Sequence, residues 1–385
     1  MTERLDTIVL GGGAMGSATA WALAQRGRAV TLLERFDPGH HFGASHGATR
    51  NFSLGYANTT YLDMLTEALP LWDEIEQQSG EKLFAHTGVV NHGPDRSYPG
   101  VHAALSAAGL ESEFLPLEEA HERWGGIRFD SQVLYTPQGG QLNADATLPA
   151  LQRLAAERGA IVRHRSRVLS IRVLGDDDVV VEVQTADGIE VLHARTLVVT
   201  AGAWTSKLLD GVIGLPRLSV TQEQPAHFAV ADTEAVWPGF NHRFTPGDPG
   251  YDYWCSAIYG MLTPGEGVKA GWHAVGPLTD PDARTFTPEP GQLAALQRYA
   301  RDWLPGVDAD SLVDVSCTYT LTADENFVLD RIGPIVVGAG FSGHGFKFVP
   351  VVGRILADLV TGDGAAPALF AANRTTAGSL FKITG

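Results

Sequence analysis

Cysteine is scarce in this chain: Cys255 and Cys317 are the only two in 385 residues. Two thiols cannot build the disulfide framework of a small secreted domain; they suit a reducing, cytoplasmic setting, although counting alone leaves one pair open. Long apolar runs are missing as well, and nothing approaches the ~20 consecutive apolar residues that a membrane helix needs. The opening MTERLDTIVL passes from a polar lead straight into a strand pattern, without the basic region, apolar stretch and cleavage site of a secretion signal. Positive charge is in short supply, with 28 Lys and Arg against 44 Asp and Glu and a formal net charge of −16. That balance argues against a sequence-independent grip on nucleic acid or on an anionic membrane. Repeats, heptads and low-complexity tracts are absent. So are GxSxG and HExxH, and the histidines at 40, 41 and 46 have no carboxylate or cysteine at metal-ligand spacing, so hydrolase and metal readings find no support.

What is present is length for about two domains and a pattern that alternates strand with helix. Thr7 to Leu10 is a short, continuously apolar run, the mark of a parallel strand covered on both faces. A glycine loop follows, then a helix with Ala18, Trp21, Ala22 and Leu23 among its buried positions, ending at Gly27, and a second strand from Ala29 to Leu33 that closes on Glu34. Residues 57 to 80 carry apolar side chains at helical spacing, and short alternating segments run on to about 144. A helix from Ala146 to Gly159 precedes strands at Ile161 to Val173, Val179 to Gln184 and Leu197 to Trp204. Residues 216 to 315 favour strands and loops, after which Pro334 to Gly338, a glycine loop and an amphipathic run through Val352, Ile355, Leu356 and Leu359 restore the α/β pattern. The expectation is an α/β protein of two domains. A discontinuous Rossmann-like domain (1–80, 145–215, 316–385) carries the cofactor, and a mainly antiparallel-sheet domain (81–144, 216–315) carries the substrate.

The loop Gly11-Gly12-Gly13-Ala14-Met15-Gly16 has the spacing of a dinucleotide cradle. Gly11 permits the tight turn, Gly13 lets the backbone approach a pyrophosphate, and Gly16 allows the helix to pack closely on the strand. The helix start at Ala14 and Met15 then offers unpaired N–H groups and a partial positive charge to the anion. Glu34 accepts hydrogen bonds from ribose hydroxyls and repels a 2′-phosphate, which disfavours NADP. The motif by itself does not separate FAD from NAD, since both present adenosine diphosphate to it.

Other segments resemble the family of monomeric sarcosine oxidase and N-methyltryptophan oxidase, within the flavoproteins related to D-amino acid oxidase. The likeness spans nearly the whole chain. Besides the N-terminal motif it is carried by Ser45-His46-Gly47-Ala48-Thr49-Arg50, Ala201-Gly202-Ala203-Trp204, Cys317-Thr318-Tyr319-Thr320 and Gly340-Phe341-Ser342-Gly343-His344-Gly345-Phe346-Lys347-Phe348. The resemblance implies an FAD enzyme that oxidises amines. It makes Cys317 a covalent anchor for the flavin through a thioether, where the residue taken alone reads as a buried small hydrophobe. It sets the loop from Gly338 to Lys347 against the flavin ring, where backbone donors and the Lys347 ammonium stabilise negative charge on the reduced ring. Arg35 and Val168 complete the expected cofactor contacts.

In Gly267 to His273, alternation puts Val268, Ala270 and Trp272 on one face and Lys269, Gly271 and His273 on the other, so that Lys269 unaided reads as solvent-facing. The resemblance instead implies a lysine on the flavin side that promotes reaction with O2. His273 and His344 are candidates to orient substrate, with a satisfied structural histidine as the alternative. Tyr259 resembles an active-site tyrosine, with core packing as its competitor, and Tyr253 and Trp254 read as either pocket lining or core. Arg50 matches a family arginine beside flavin and substrate. Three positions on, where relatives that oxidise small N-methyl amino acids carry a second arginine for the substrate carboxylate, this chain has Ser53. Replacing a bidentate fork by one neutral hydroxyl costs about 1 to 3 kcal/mol of carboxylate binding, so sarcosine itself is a doubtful substrate. The expected reaction takes a hydride from the carbon beside a secondary or N-methylated amine to flavin N5, with imine hydrolysis and peroxide formation, in a monomer whose partners are a small amine and O2. A dehydrogenase using another electron acceptor, a flavoprotein with a vestigial redox site and a NAD-dependent dehydrogenase remain as alternatives.

Overall fold

The computed structural model describes residues 4–374 apart from 246, 248 and 249; the two ends of the expected cofactor domain, 1–3 and 375–385, lie outside the described residues. Two eight-stranded sheets organise the molecule. In the first, the strand Leu5–Leu10 lies between Val30–Leu33 and the end of Gly188–Val199, parallel to both, with Ile8 opposite Thr31 and Leu197. Ile161–Arg163 extends the parallel set on one side and Ile335–Ala339 on the other. Ile8 and Val9 are fully buried because helices cover one face of this sheet and further chain the other, the environment that a continuous apolar run requires.

The helix Ala14–Gln25 is buried along nearly its whole length, with every residue from Ala14 to Ala24 inside. It has no polar face because it is enclosed, packing against Ala144–Glu157 and Val349–Thr361 as well as the sheet. At Gly353 the last of these comes so near that an added Cβ would lie 2.7 Å from the Ala18 backbone.

The second sheet is antiparallel except where Val89–His92 runs parallel to Gly239–His242. Its buried face holds an aromatic core with Phe228, Phe240, Trp254, Trp272, Tyr299 and Trp303, closed by the helix Pro290–Trp303. Trp254 lies within that core and Tyr253 packs on its rim under Arg298, so both of these belong to packing. Two small sheets join the layers: Thr49–Phe52 with Gly140–Asn143, and Ser219–Glu223 with Cys317–Leu321.

Several local expectations are corrected. Residues 81–144 include the helices Tyr98–Ala107 and Leu117–Arg123, which bury only Tyr98, Val101 and Leu105 in one case and Ala120 in the other, too thin a stripe to register as a period. The run from Ile161 to Val173 is two strands, parted at Arg165, whose φ of 54° breaks the extended backbone. The strand expected to reach Trp204 ends at Val199, and Gly202–Trp204 forms a tight helical turn.

Candidate functional site

A cavity of about 1140 Å³ runs from the glycine loop of the first strand, past the Thr49–Phe52 strand, to the second sheet. Every residue expected to bind the cofactor or to act in catalysis lines it except Gly16, which acts behind the wall; Gly338 and Ala339, at the start of the C-terminal loop, do not line it, and neither do Tyr253 and Trp254. The loop owes its shape to contacts a side chain would forbid. Gly11 has φ of +99°, and a Cβ there would sit 2.5 Å from the Thr200 carbonyl. At Gly16 a Cβ would lie 1.9 Å from the Gly11 carbonyl, so only glycine brings the helix start this near the strand end.

Glu34 is buried at the end of the second strand, and one of its oxygens accepts from Gly12 N at 2.7 Å while the other accepts from Phe36 N at 2.9 Å. The Ala14 N–H at the helix start meets Ser45 Oγ at 3.0 Å, which ties the 39–47 loop to the cradle. Arg35 pairs with Asp282 at 2.7 Å and lies over the Phe36 and Trp204 rings. Val168, Ala201, Gly202 and Trp204 complete that end. Glycine backbone at the helix start, where the Ala14 N–H is taken by Ser45 Oγ rather than left unpaired as expected, an acid at the second strand end and apolar flanks together fit the adenosine diphosphate part of a dinucleotide.

Further along, Arg50 is held in place by the chain itself. Its guanidinium donates to the carbonyls of Ala44, His46, Gly47 and Thr49 and lies 5.6 Å from the centre of the Phe346 ring. The side chain is therefore a fixed positive charge whose donors are engaged by backbone. Lys269, 6% exposed, points into the cavity and donates to the Thr49 carbonyl, which corrects the unaided expectation of a solvent-facing lysine. Alternation along the strand is intact, but the second face looks onto the cavity. Burial, aided by the Arg50 charge, pulls the Lys269 ammonium down to about 7. Thr49 Oγ1 and Thr263 Oγ1 are 2.6 Å apart, and His227 Nε2 is 3.2 Å from the latter.

Cys317, half-buried and unpaired, lines the cavity with Tyr319. Tyr259 also lines it, bonded to Tyr319, and burial raises both phenols above their ordinary range. His273 follows its strand and faces Tyr319 at 5.6 Å between ring centres; burial lowers it to about 4, with the Lys347 charge adding to the effect.

The C-terminal glycine loop closes the cavity with a relay of polar groups. Lys347, 7% exposed, donates to Tyr56 Oη and to the His344 carbonyl, both at 3.1 Å. Tyr56 Oη is 3.0 Å from His344 Nδ1, and His344 Nε2 is 3.1 Å from the Glu325 carbonyl. A carbonyl only accepts, so His344 carries its proton on Nε2 and accepts a hydrogen bond from the Tyr56 hydroxyl at Nδ1. Desolvation holds the ring neutral, at about 3, and lowers Lys347 to about 7. Two of the three ammonium donors of Lys347 are engaged in these bonds, and a third is left for the cavity.

Tyr56 was not singled out in the sequence, where it lies in Leu54-Gly55-Tyr56-Ala57 with no period or motif to mark it. Asn51, Asn91 and Asn241 were missed as well and line the same cavity; their separation along the chain hides their meeting. Among the described residues no helix is long and apolar enough to cross a membrane.

The family model "FAD dependent oxidoreductase" matches residues 6–359. Monomeric sarcosine oxidase of Bacillus sp. (strain NS-129) is 34% identical over 376 residues, covering 94% of this chain and 94% of the relative. N-methyl-L-tryptophan oxidase of Yersinia pestis (strain Pestoides F) is 30% identical over 364 residues, 91% of this chain and 94% of its own. Among solved structures, the open form of NikD, an unusual amino acid oxidase essential for nikkomycin biosynthesis, is similar with a TM-score of 0.84 and 30% identity, covering 99% of this chain and 100% of NikD.

Proposed function

The chain belongs to the family of FAD-dependent oxidoreductases, and on that premise we propose that it is an oxidase of secondary or N-methylated amines. One observation carries the reading: Lys347, with its Tyr56 and His344 partners, and Lys269 on a separate strand line the same cavity as the glycine cradle. FAD, when bound, supplies the two-electron acceptor that takes hydride at N5 from the carbon beside nitrogen and passes the electrons to O2 as hydrogen peroxide. Gly11, Gly13, Ala14, Met15 and Glu34 would hold its adenosine diphosphate half, and the 340–347 loop with Arg50 its ring. The resulting imine hydrolyses to amine and carbonyl product.

The residues of the chain do the rest. The free donor of Lys347 binds a carboxylate on the substrate, and the neutral, Nε2-protonated His344 keeps Tyr56 and Lys347 in position. His273 and Tyr259 bound the amine, and burial keeps both uncharged so that neither competes for its proton. The amine must arrive with its lone pair free, so turnover rises with pH through the pKa of the bound amine. Lys269, lowered to about 7 by burial, offers its ammonium to the negative charge that develops as O2 takes its first electron, a charge that itself favours the protonated form. Cys317 is proposed as the thioether anchor, its thiol free and facing the cavity. The division into a cofactor domain (1–80, 145–215, 316–385) and a substrate domain (81–144, 216–315), a monomeric state and a cytoplasmic setting belong to the same proposal; the separate sheets support the first.

The test is an anaerobic screen of N-methyl and cyclic amines on the purified protein, watching the flavin absorbance bleach, followed by peroxide measured per amine consumed on admitting air. One peroxide per amine is expected. Bleaching without peroxide would replace the oxidase by a dehydrogenase, and no bleaching with any amine would overturn the proposal. Denaturing wild type and Cys317→Ser side by side tests the anchor: flavin is expected to stay with the wild-type polypeptide and to leave the variant.

A further inference from the structure

One arginine behind the cavity wall has no acid to answer it. Arg284, in the connection between the strand Gly267–Trp272 and the helix Pro290–Trp303, is only 8% exposed. Its hydrogen bonds all end on neutral oxygens: Nη1 donates to the Phe42 carbonyl at 3.1 Å, and Nη2 to the Ser316 carbonyl at 2.7 Å and to Ser316 Oγ at 3.1 Å. Nε is buried without a partner, and the guanidinium lies 4.0 Å from the centre of the Phe286 ring. Asp282, two residues earlier, is taken up by Arg35, Lys207 and Trp204. Among the described residues, then, no carboxylate pairs with Arg284.

A buried guanidinium without a counter-ion is costly to fold around, and it favours any neighbour that can turn negative. That neighbour is Cys317. Arg284 grips the residue before it by both carbonyl and hydroxyl. Burial lowers Arg284, and an ionised Cys317 opposes that lowering. Lys269, lowered by burial and by Arg50, is raised by the same sulfur, so both cations lie within electrostatic reach of it. The bond to Phe42 ties this unit to the 39–47 loop, whose Ser45 meets the Ala14 N–H, and so sets Cys317 relative to the glycine cradle.

We propose that Arg284 is the positioning residue for flavin attachment, a fixed positive charge behind the wall that holds Cys317 in place and favours its sulfur as a nucleophile. The inference rests on the thioether anchor proposed above and deepens it. Attachment joins Cys317 Sγ to a methyl carbon on the flavin ring. The S–H bond and one methyl C–H bond break, the sulfur's electron pair makes the new C–S bond, and the ring gains the electron pair of the C–H bond together with both protons. O2 then takes two electrons and two protons from it as hydrogen peroxide. The attacking species is the thiolate, which a neighbouring cation stabilises. Arg284 does not line the cavity, so it acts through the cysteine.

Two substitutions separate charge from hydrogen bonding: Arg284→Gln keeps a donor without the charge, and Arg284→Lys keeps the charge without the fork. Each is purified with its flavin beside the wild type, kept in air, and sampled over time for flavin that stays with the denatured polypeptide. Wild type is expected to be fully attached on isolation. Arg284→Gln is expected to bind flavin yet attach it about tenfold or more slowly than Arg284→Lys, because the rate follows the thiolate fraction. If Arg284→Gln holds no flavin, Arg284→Met takes its place, and Arg284→Lys is decisive by itself: flavin that it binds and leaves unattached overturns the role of the charge. Equal rates in the charged and neutral variants also overturn the proposal, and if both are slow Arg284 is a structural tie. Wild-type flavin that comes away on denaturation removes the anchor and this inference with it, whereas bleaching by amine in the same preparation keeps the amine-oxidase reading standing.

Discussion

Arg50 and Lys347 differ at the level of single donors. Arg50 donates to four backbone carbonyls, so its charge is fixed and its fork is occupied, whereas Lys347 has a donor to give. Lys347→Met is therefore expected to raise KM for carboxylate-bearing amines by about tenfold or more while leaving simple amines less affected, as steady-state kinetics would read. The depressed pKa sets a pH dependence with a definite sign. Near 7 in the free protein, Lys347 is largely neutral at pH 8 to 9, and a bound carboxylate favours its charged form. Binding of an unreactive carboxylate should then take up a proton above pH 7 and weaken as pH rises, visible as buffer-dependent heat in calorimetry; pH-independent affinity from 6 to 9 would refute it. Lys269→Met is expected to slow reoxidation by O2 by about two orders of magnitude, with flavin reduction by amine much less affected in stopped-flow traces. At this scale the sequence reached most of the charged groups but only through resemblance: alternation alone put Lys269 on an outer face, since a period of two cannot distinguish a cavity from solvent. The asparagines at 51, 91 and 241 left no local trace because nothing in their own neighbourhoods brings them together.

Strand, glycine loop and helix at the start of the chain were legible as one element, since each part constrains the next: an apolar run buried on both faces, a turn only glycine allows, and a helix without a polar side. Gly16→Ala is expected to lose flavin and to destabilise the fold, because the added methyl meets backbone rather than a side chain that can swing away. At Gly353, where the last long helix crosses Ala18, alanine should cost about 1–3 kcal/mol in urea melts at an unchanged m-value. The helix Pro290–Trp303 shows why other elements escaped. Its buried set Leu296, Tyr299, Ala300 and Trp303 has helical spacing, yet it lies in a region whose glycines and strands set the expectation. The helices at 98 and 117 bury too little to be seen without their neighbours.

Over the whole molecule, charge and burial make acid the weak side. His92, His227 and His242 are buried and neutral, with desolvation holding His92 at about 3 and His227 at about 4 and pushing His242 well below its ordinary value. Each titrates near 6.5 in the unfolded chain, so the unfolded state binds more protons below that pH. The stability they permit is present above 6.5 and drains as pH falls toward the folded values, by at most about 1.4 kcal/mol per pH unit for each ring. Urea midpoints should hold from pH 7 to 8 and drop steeply from 6 to 4, and His92→Leu should flatten that drop; an equal drop in the variant would refute the assignment.

The parallel pairing of Val89–His92 with Gly239–His242 has one further consequence. It sets two amides against the cavity and, one residue on, two imidazoles 3.8 Å apart inside the aromatic core. Sliding both strands by a single position would trade these roles, giving the substrate a proton-exchanging wall and the core a pair of stranded amides. Whether this chamber meets its guest with fixed dipoles or with acid–base groups is thus decided by where two strands align, and one residue inserted ahead of both would exchange the side chains that face it without substituting any.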